Sequence, residues 1–338
     1  MQKKSMTAKE KMQRSANFSN GVFQNLSLTP MKLEDVTYFS MLKDALNRPA
    51  DTKPAKPLPT IKTDLKKRSS EKPVIVWFGH SSYLIQVKGV NILVDPVFSG
   101  SASPFSFMVK AFPGADAYQV KDMPDIDAVI ITHNHYDHLD TKTIAQLKSR
   151  TGRFYTALGV GRDIAGCAGN NVAITEMDWW DTEAVAPGIT LTATPARHFS
   201  GRGLKRGGSL WASFVLEIFG YKIFIGGDSG YDSHFKTIGD KLGPFDIALL
   251  ECGQYNEAWP FIHMMPEQTV QAAIDLQAKV LMPVHWAKFA LSLHPWNEPA
   301  IRVTKSAALH QLAITTPRIG EPVVVGESYP QDPWWNQI

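Results

Sequence analysis

From Val74 onward, apolar residues fall in runs of four to six that break at Gly, Pro, Asp or His. Runs of that length between turn-forming residues predict strands. Residues 74–78, 83–87 and 90–95 read as a meander, with Lys88-Gly89 suited to its tight hairpin. Further strands are predicted at 128–131, 154–157, 172–175, 189–194, 212–217, 222–225, 247–250, 280–282 and 323–325. Helical spacing appears at 31–46, through Leu33, Val36, Phe39, Met41, Leu42, Ala45 and Leu46, and again at 141–148. A third helix is predicted over 266–278, where Pro266 occupies a tolerated first-turn position. Residues 1–20 show no periodicity and are expected to be disordered; residues 100–125 read as loop. Residues 48–73 carry Pro54, Pro57, Pro59 and Pro73 among lysines, the pattern of an extended linker that wraps a core or crosses solvent. Strand meanders with helices between them predict an α+β arrangement of two sheets with helices outside. No short-period repeat is visible. Three regions result: a basic arm with one helix and a Pro/Lys-rich linker (1–73), a catalytic-sized domain (74–326) and a tail (327–338).

Composition narrows the class. Of 338 residues, 44% are apolar and 20% charged, as in a soluble globular protein. No apolar run approaches the ~20 residues of a membrane-spanning helix. The first residues lack the apolar stretch of a signal peptide, so a cytoplasmic location is expected. Cys167 and Cys252 form no CxxC pair and read as reduced thiols. The net charge of +3 is uneven, since residues 1–72 hold fifteen Lys/Arg against seven Asp/Glu. A solvated arm accounts for that excess, and peripheral contact with anionic lipid is the alternative. No nucleic-acid partner is expected.

The chemistry concentrates after the strand at 128–131, in His133-Asn134-His135-Tyr136-Asp137-His138. Buried imidazoles need partners and a buried carboxylate needs compensating charge, and a metal ion supplies both. Nitrogen and oxygen donors without thiolates suit zinc, iron(II) or manganese. Further candidates stand at other strand ends: His198 after 189–194, Asp228 after 222–225 among glycines, and His285 after 280–282. Taken singly, each fits a core histidine or a turn aspartate.

The chain resembles the metallo-β-lactamase superfamily, and within it the branch typified by N-acyl-phosphatidylethanolamine-hydrolysing phospholipase D. The resemblance is carried by residues 77–82, 95–99, 103–104, 131–140, 195–200, 226–231, 263–267, 285–289 and 316–322. It implies a four-layer αββα sandwich and two divalent ions, zinc by default with manganese or iron compatible. One ion would be held by His133, His135 and His198, the other by Asp137, His138 and His285, with Asp228 bridging. It further implies that Asp95 orients a ligand imidazole and that His263 lines the substrate pocket, while His80 is structural. The expected reaction is hydrolysis by hydroxide generated between the two ions. Asp137 would handle the nucleophile's proton and His263 would serve the leaving group. A phosphodiester, small or a phospholipid, is the expected substrate; a lactonase or other carbonyl hydrolase is the alternative. The aromatic loop at 98–118 reads as either an acyl or bilayer rim or simple packing, and Arg197, Arg202, Lys205 and Arg206 as phosphate attractors or a solvated loop. Glu251-Cys252-Gly253 departs from the apolar strand end expected in the phospholipase branch.

Overall fold

The computed structural model describes residues 6–67, 70–203 and 206–338. The arm opens with helix α1 (Ala8–Arg14), a short hairpin of β1 (Phe18–Ser19) and β2 (Val22–Phe23), and helix α2 (Tyr38–Leu46). Among its described residues it therefore holds two α-helices where one was expected, and residues 8–14 are helical where disorder was expected. A capping box explains this: the Thr7 hydroxyl accepts from the Glu10 N–H, and Glu10 returns a bond to Thr7. The helix expected over 31–46 begins only at Tyr38. The linker wraps the core, with Thr52, Leu58 and Leu65 buried and Ile61 N–H donating to the Ile319 carbonyl.

Two halves follow with one plan. In the first, β3 (Val74–Trp77), β4 (Tyr83–Val87) and β5 (Val90–Val94) form an antiparallel meander. Then β6 (Ile126–Ile131), α3 (Thr141–Leu147), β7 (Thr151–Ala157), α4 (Gly161–Ala168) and β8 (Ile174–Met177) continue it with parallel strands. In the second half β9 (Thr182–Ala186), β10 (Ile189–Thr194), β11 (Ser213–Ile218) and β12 (Tyr221–Ile225) are antiparallel. Parallel pairing again follows, through α5 (His234–Leu242), β13 (Ile247–Glu251), α6 (Pro266–Asp275), β14 (Val280–Val284), α7 (Glu298–Leu309) and β15 (Ala313–Ile314). Strand β16 (Pro322–Val324) returns to pair with β3. The sheet orders are β16-β3-β4-β5-β6-β7-β8 and β15-β14-β13-β12-β11-β10-β9. One apolar core runs through both sheets, and the helices of each half pack on one another, giving the αββα sandwich.

Helices α4, α5 and α7 were not predicted: each buries only one or two large apolar side chains, set among small and polar ones. Ile164 is buried between Gly161 and Ala168 on α4, Phe235 and Ile238 beside His234 and Gly239 on α5, and Val303 among Ala300, Ser306 and Ala307 on α7. Strand β9 was not predicted because it is an exposed edge strand. The C-terminal tail is docked, with Trp334 and Trp335 buried beside Trp286.

Candidate metal centre

Strands β5 and β6 run parallel to each other, as do β12, β13 and β14, so their carboxyl ends gather at one edge of the sandwich. Side chains just beyond strand ends converge there because the backbone leaves the sheet and frees them. The edge collects His80 after β3, Asp95 after β5, residues 133–138 after β6, His198 after β10, Asp228 after β12, Glu251 at the end of β13 and His285 after β14. The backbone at this edge is forced. His80, Asp95, Gln254, His285 and Ala287 all have positive φ, a costly state for non-glycine residues that clusters at functional sites. His80 and His285 lie in adjacent turns tied together: His285 N–H donates to the His80 carbonyl at 3.0 Å, and His80 N–H to that of Trp286 at 2.9 Å. At Gly230 an added Cβ would sit 2.0 Å from the Phe261 carbonyl oxygen, so only glycine lets the Asp228 turn approach the 259–263 loop.

The structure brings the seven sequence candidates into two adjoining sets. Donor atoms of His133, His135, His198 and Asp228 lie within 4.8 Å of one another, and so do those of His80, Asp137, His138 and His285. Asp228 faces both sets. Its Oδ2 is 3.8 Å from His133 Nε2 and 3.7 Å from His198 Nε2. Its Oδ1 is 3.1 Å from His138 Nε2 and 3.1 Å from His285 Nδ1. Two ligands of a tetrahedral ion lie roughly 3.3 Å apart, given metal–donor distances of about 2.0–2.1 Å. His138 Nε2, His285 Nε2 and Asp228 Oδ1 are buried without a hydrogen-bond partner. Leaving such atoms unpaired is expensive, and a cation between them removes the cost. The residues therefore fit metal ions.

Their protonation agrees. Burial holds His133, His198 and His285 well below the ordinary imidazole pKa and His135 at about 4, the neutral form that offers a lone pair. Burial alone would raise Asp228, but His138 and His285 overcome it and hold the carboxyl well below its usual range. His138 is opposed by burial yet raised well above its usual value by Asp228, Asp137 and Asp95. That surplus of negative charge is what a divalent cation would neutralise.

A second layer orients the donors. Asp95 Oδ2 lies 2.7 Å from His138 Nδ1, and its oxygens accept from the Thr132 N–H and hydroxyl at 2.8 and 2.7 Å. Ser81 Oγ is 2.9 Å from His285 Nδ1, and the Ile262 carbonyl 3.1 Å from His198 Nδ1. The arm contributes too. Asn25 Nδ2 donates to the His198 carbonyl at 2.8 Å, and its Oδ1 accepts the His198 N–H at 3.0 Å.

The donors open into a cavity of about 290 Å³. Met31, Phe199, Trp259, Ile262 and Leu291 form its apolar walls, and Arg206 and His263 stand among its polar groups.

Residues 90–286 match the model of the β-lactamase superfamily domain. A protein of Mycobacterium tuberculosis is 35% identical over 96% of this chain and 88% of its own length. Identity to N-acyl-phosphatidylethanolamine-hydrolyzing phospholipase D 1 of Caenorhabditis elegans is 31%, over 64% of each chain. The mitochondrial enzyme of that name from Saccharomyces cerevisiae is 32% identical over 69% of this chain and 52% of its own. Among solved structures, the metallo hydrolase Igni18 of Ignicoccus hospitalis superposes with a TM-score of 0.56, at 22% identity over 75% of this chain and 97% of that one. The chain belongs to the metallo-β-lactamase superfamily. It is a metal-dependent hydrolase by family, in the branch that contains the N-acyl-phosphatidylethanolamine-hydrolysing phospholipases.

Within this superfamily fold, several expected roles change. His80, read as structural, is fully buried and its Nε2 lies 2.9 Å from Asp137 Oδ2, so it belongs to the site. The available signal was its place in the sequence, a histidine in the turn that follows a strand, as for the other candidates. Two of the four expected phosphate-attracting cations are spent elsewhere. Arg197 donates to Leu28, Thr29 and Tyr231, and Arg202 to the Asn134 and Leu139 carbonyls. Lys205 lies outside the described residues, and Arg206 lines the cavity. The aromatic loop divides: Phe98 and Phe112 are buried, whereas Phe105, Phe107 and Met108 are exposed. Glu251, seen in the sequence only as a departure from the branch, reaches the site through His263, with Oε2 at 2.6 Å from Nδ1.

Proposed function

We propose that the protein is a dinuclear metal-dependent phosphodiesterase whose substrates are phospholipids of the N-acyl phosphatidylethanolamine kind. The single observation that carries the dinuclear hydrolase in this reading is Asp228, buried between two sets of imidazole and carboxylate donors and offering one oxygen to each. His133, His135 and His198 would hold one ion and Asp137, His138 and His285 the other, with zinc the ion these donors favour. When bound, such a pair lowers the pKa of water and neutralises charge on a phosphoryl group.

The chain's own groups do the rest. Asp137, braced by His80, takes a proton from the attacking water as its oxygen bonds to phosphorus. The bond from phosphorus to the alcohol oxygen breaks in line, and that oxygen receives a proton from His263. Burial works against a charged His263, but Glu251, with Asp228 and Asp137, outweighs it and raises its pKa to about 9, the direction an acid serving the leaving group needs. Arg206 faces the phosphate charge, and Met31, Phe199, Trp259, Ile262 and Leu291 exclude water and accept acyl chain. The basic arm and the exposed Phe105, Phe107 and Met108 support peripheral contact with a lipid surface. The relatives named as phospholipases support the substrate class.

The test is the initial rate of metal-replete protein on bis(p-nitrophenyl) phosphate and on a panel of small lactones, with Asp228→Ala as the blank. Phosphodiester turnover that falls at least a hundredfold in the variant is the expected result. Lactone opening beside an inert phosphodiester would replace the reading with a carbonyl hydrolase on the same fold.

A further inference from the structure

The Glu251 carboxylate is completely buried and makes no salt bridge to a lysine or arginine among the described residues. Every acceptor position in use has a stated donor. Oε1 takes the Ser229 N–H at 3.0 Å and the Met264 N–H at 3.2 Å. Oε2 faces His263 Nδ1 at 2.6 Å. Because Oε1 takes two backbone donors, Oε2 is the oxygen left to face Nδ1, and in the ionised carboxylate it accepts. The proton of this pair therefore sits on Nδ1. With Nδ1 engaged on the strand side, Nε2 is the nitrogen His263 has left for the cavity it lines with Asp137, Asp228 and His198. Glu251 ends β13, and Ser229 directly follows Asp228, so one carboxylate ties the Asp228 turn, the 263–264 turn and the His263 ring together.

We propose that Glu251 is the positioning residue for His263: it fixes the proton on Nδ1 and so aims Nε2 at the substrate's leaving-group oxygen. The proposal rests on the hydrolase reading for the identity of that oxygen. In the step it serves, His263 carries a second proton on Nε2: the phosphorus–oxygen bond breaks, the departing oxygen takes that proton and leaves a neutral ring with its proton on Nδ1, and the water that supplied the new oxygen has given its proton to Asp137. The His263 ring regains its proton from solvent after product leaves.

Glutamine at 251 makes the role testable, because it keeps the shape and reverses one group. If its oxygen stays on the two backbone N–H groups, its NH₂ faces Nδ1, which must then accept, and the ring proton moves to Nε2. The direct measurement is the ¹⁵N spectrum of the His263 ring in the metal-loaded full-length protein, assigned with His263→Asn. Nδ1 is expected to be protonated in the wild type and unprotonated in Glu251→Gln. The paired measurement is turnover of methyl p-nitrophenyl phosphate and methyl phenyl phosphate, whose leaving groups differ in their need for a proton. Glu251→Gln is expected to lose about a hundredfold in kcat on the phenyl ester and less than tenfold on the p-nitrophenyl ester. KM and bound metal should stay unchanged, and no further loss should appear in a His263→Asn background. An unprotonated Nδ1 in the wild type, equal losses on both esters, or loss of metal from Glu251→Gln would overturn the proposal. If neither ester is turned over by the wild type, the phosphodiester reading fails while the ¹⁵N result still decides the role of Glu251. Should Glu251→Gln not fold, Glu251→Asp, which keeps the acceptor oxygens but shortens their reach, is expected to keep the Nδ1 proton and lose kcat on the phenyl ester; retention of full kcat would overturn the proposal.

Discussion

Lys288 is a buried lysine held by backbone carbonyls. It is 1% exposed, and its Nζ donates to the Phe78 and Val97 carbonyls at 3.1 and 2.8 Å. Burial, only partly opposed by Asp116 and Asp140, lowers its pKa from 10.5 to about 8. Between those two values the unfolded chain holds a proton that the folded chain has lost. Stability contributed through this group therefore rises as pH goes from about 8 to 10.5 and is flat below that window. The shift corresponds to about 3 kcal/mol at most. Urea unfolding of wild type and Lys288→Met at pH 7.5 and pH 10 checks this. The difference between the two proteins should move in favour of the wild type at the higher pH, and a pH-independent difference would sink the idea. The same scale holds the lesson of His133, His135, His198 and His285, which burial keeps neutral while Asp228 stays ionised. An acid–base pattern of that kind suits cations rather than a proton relay.

At the scale of elements, the turn after β14 that carries His285 is backed by tryptophans. Trp286 stacks on Trp334 with ring centroids 5.2 Å apart and lies 5.6 Å from Trp77. Trp334 is fully buried and its Nε1 donates to the Thr316 carbonyl at 3.2 Å. Sequence periodicity treats residues 327–338 as a tail, because a single 3-10 turn at Trp334–Gln337 has no pattern to recognise. Trp334→Ala is expected to cost about 3–5 kcal/mol, the usual range for removing a fully buried large aromatic. Chemical denaturation measures it; a loss below 1 kcal/mol would mean that the tail is not part of the core. The arm behaves in the same way. Asn25 grips both backbone groups of His198, and Leu33 N–H donates to the Ala258 carbonyl beside Trp259. Segments that read as polar or irregular thus complete walls of the cavity.

For the whole molecule, two similar halves each present the carboxyl ends of their parallel strands at one edge, and the donors of both halves meet there. His133, His135, Asp137 and His138 come from the first half, and His198, Asp228 and His285 from the second. Ions held across that junction would bind the folded chain and not the unfolded one. Ligands present at about a thousandfold over their dissociation constant add roughly 4 kcal/mol per site. Removing metal with a chelator is therefore expected to lower the unfolding midpoint by several degrees, and adding zinc back should restore it. Scanning calorimetry of replete, stripped and refilled protein makes the comparison; an unmoved midpoint would separate the donors from the fold's stability. Among the described residues no helix is long and apolar enough to cross a membrane.

How much of this was legible in the chain depends on distance along it. The strands at 83–87 and 189–194 match the observed limits because alternation and turn residues act locally. The cluster at 133–138 announced itself because four donors lie within six residues, and the other candidates stood at ends of recognisable strands. Helices α4, α5 and α7 were not legible, since one or two large apolar residues per helix, among small and polar ones, set no clear helical period. The pairings that shape the site were hidden for a different reason. His80 meets Asp137 across 57 residues, and Asn25 meets His198 across 173, so each contact exists only once the sheets have stacked and the arm has docked. Glu251 and His263 are 12 apart, but between them the chain leaves β13 and turns back through the 259–263 loop. Local spacing determined which residue types reach the edge of the sandwich. Tertiary packing alone decided which of them touch, because burial and hydrogen-bond geometry are properties of the assembled sheets rather than of any segment.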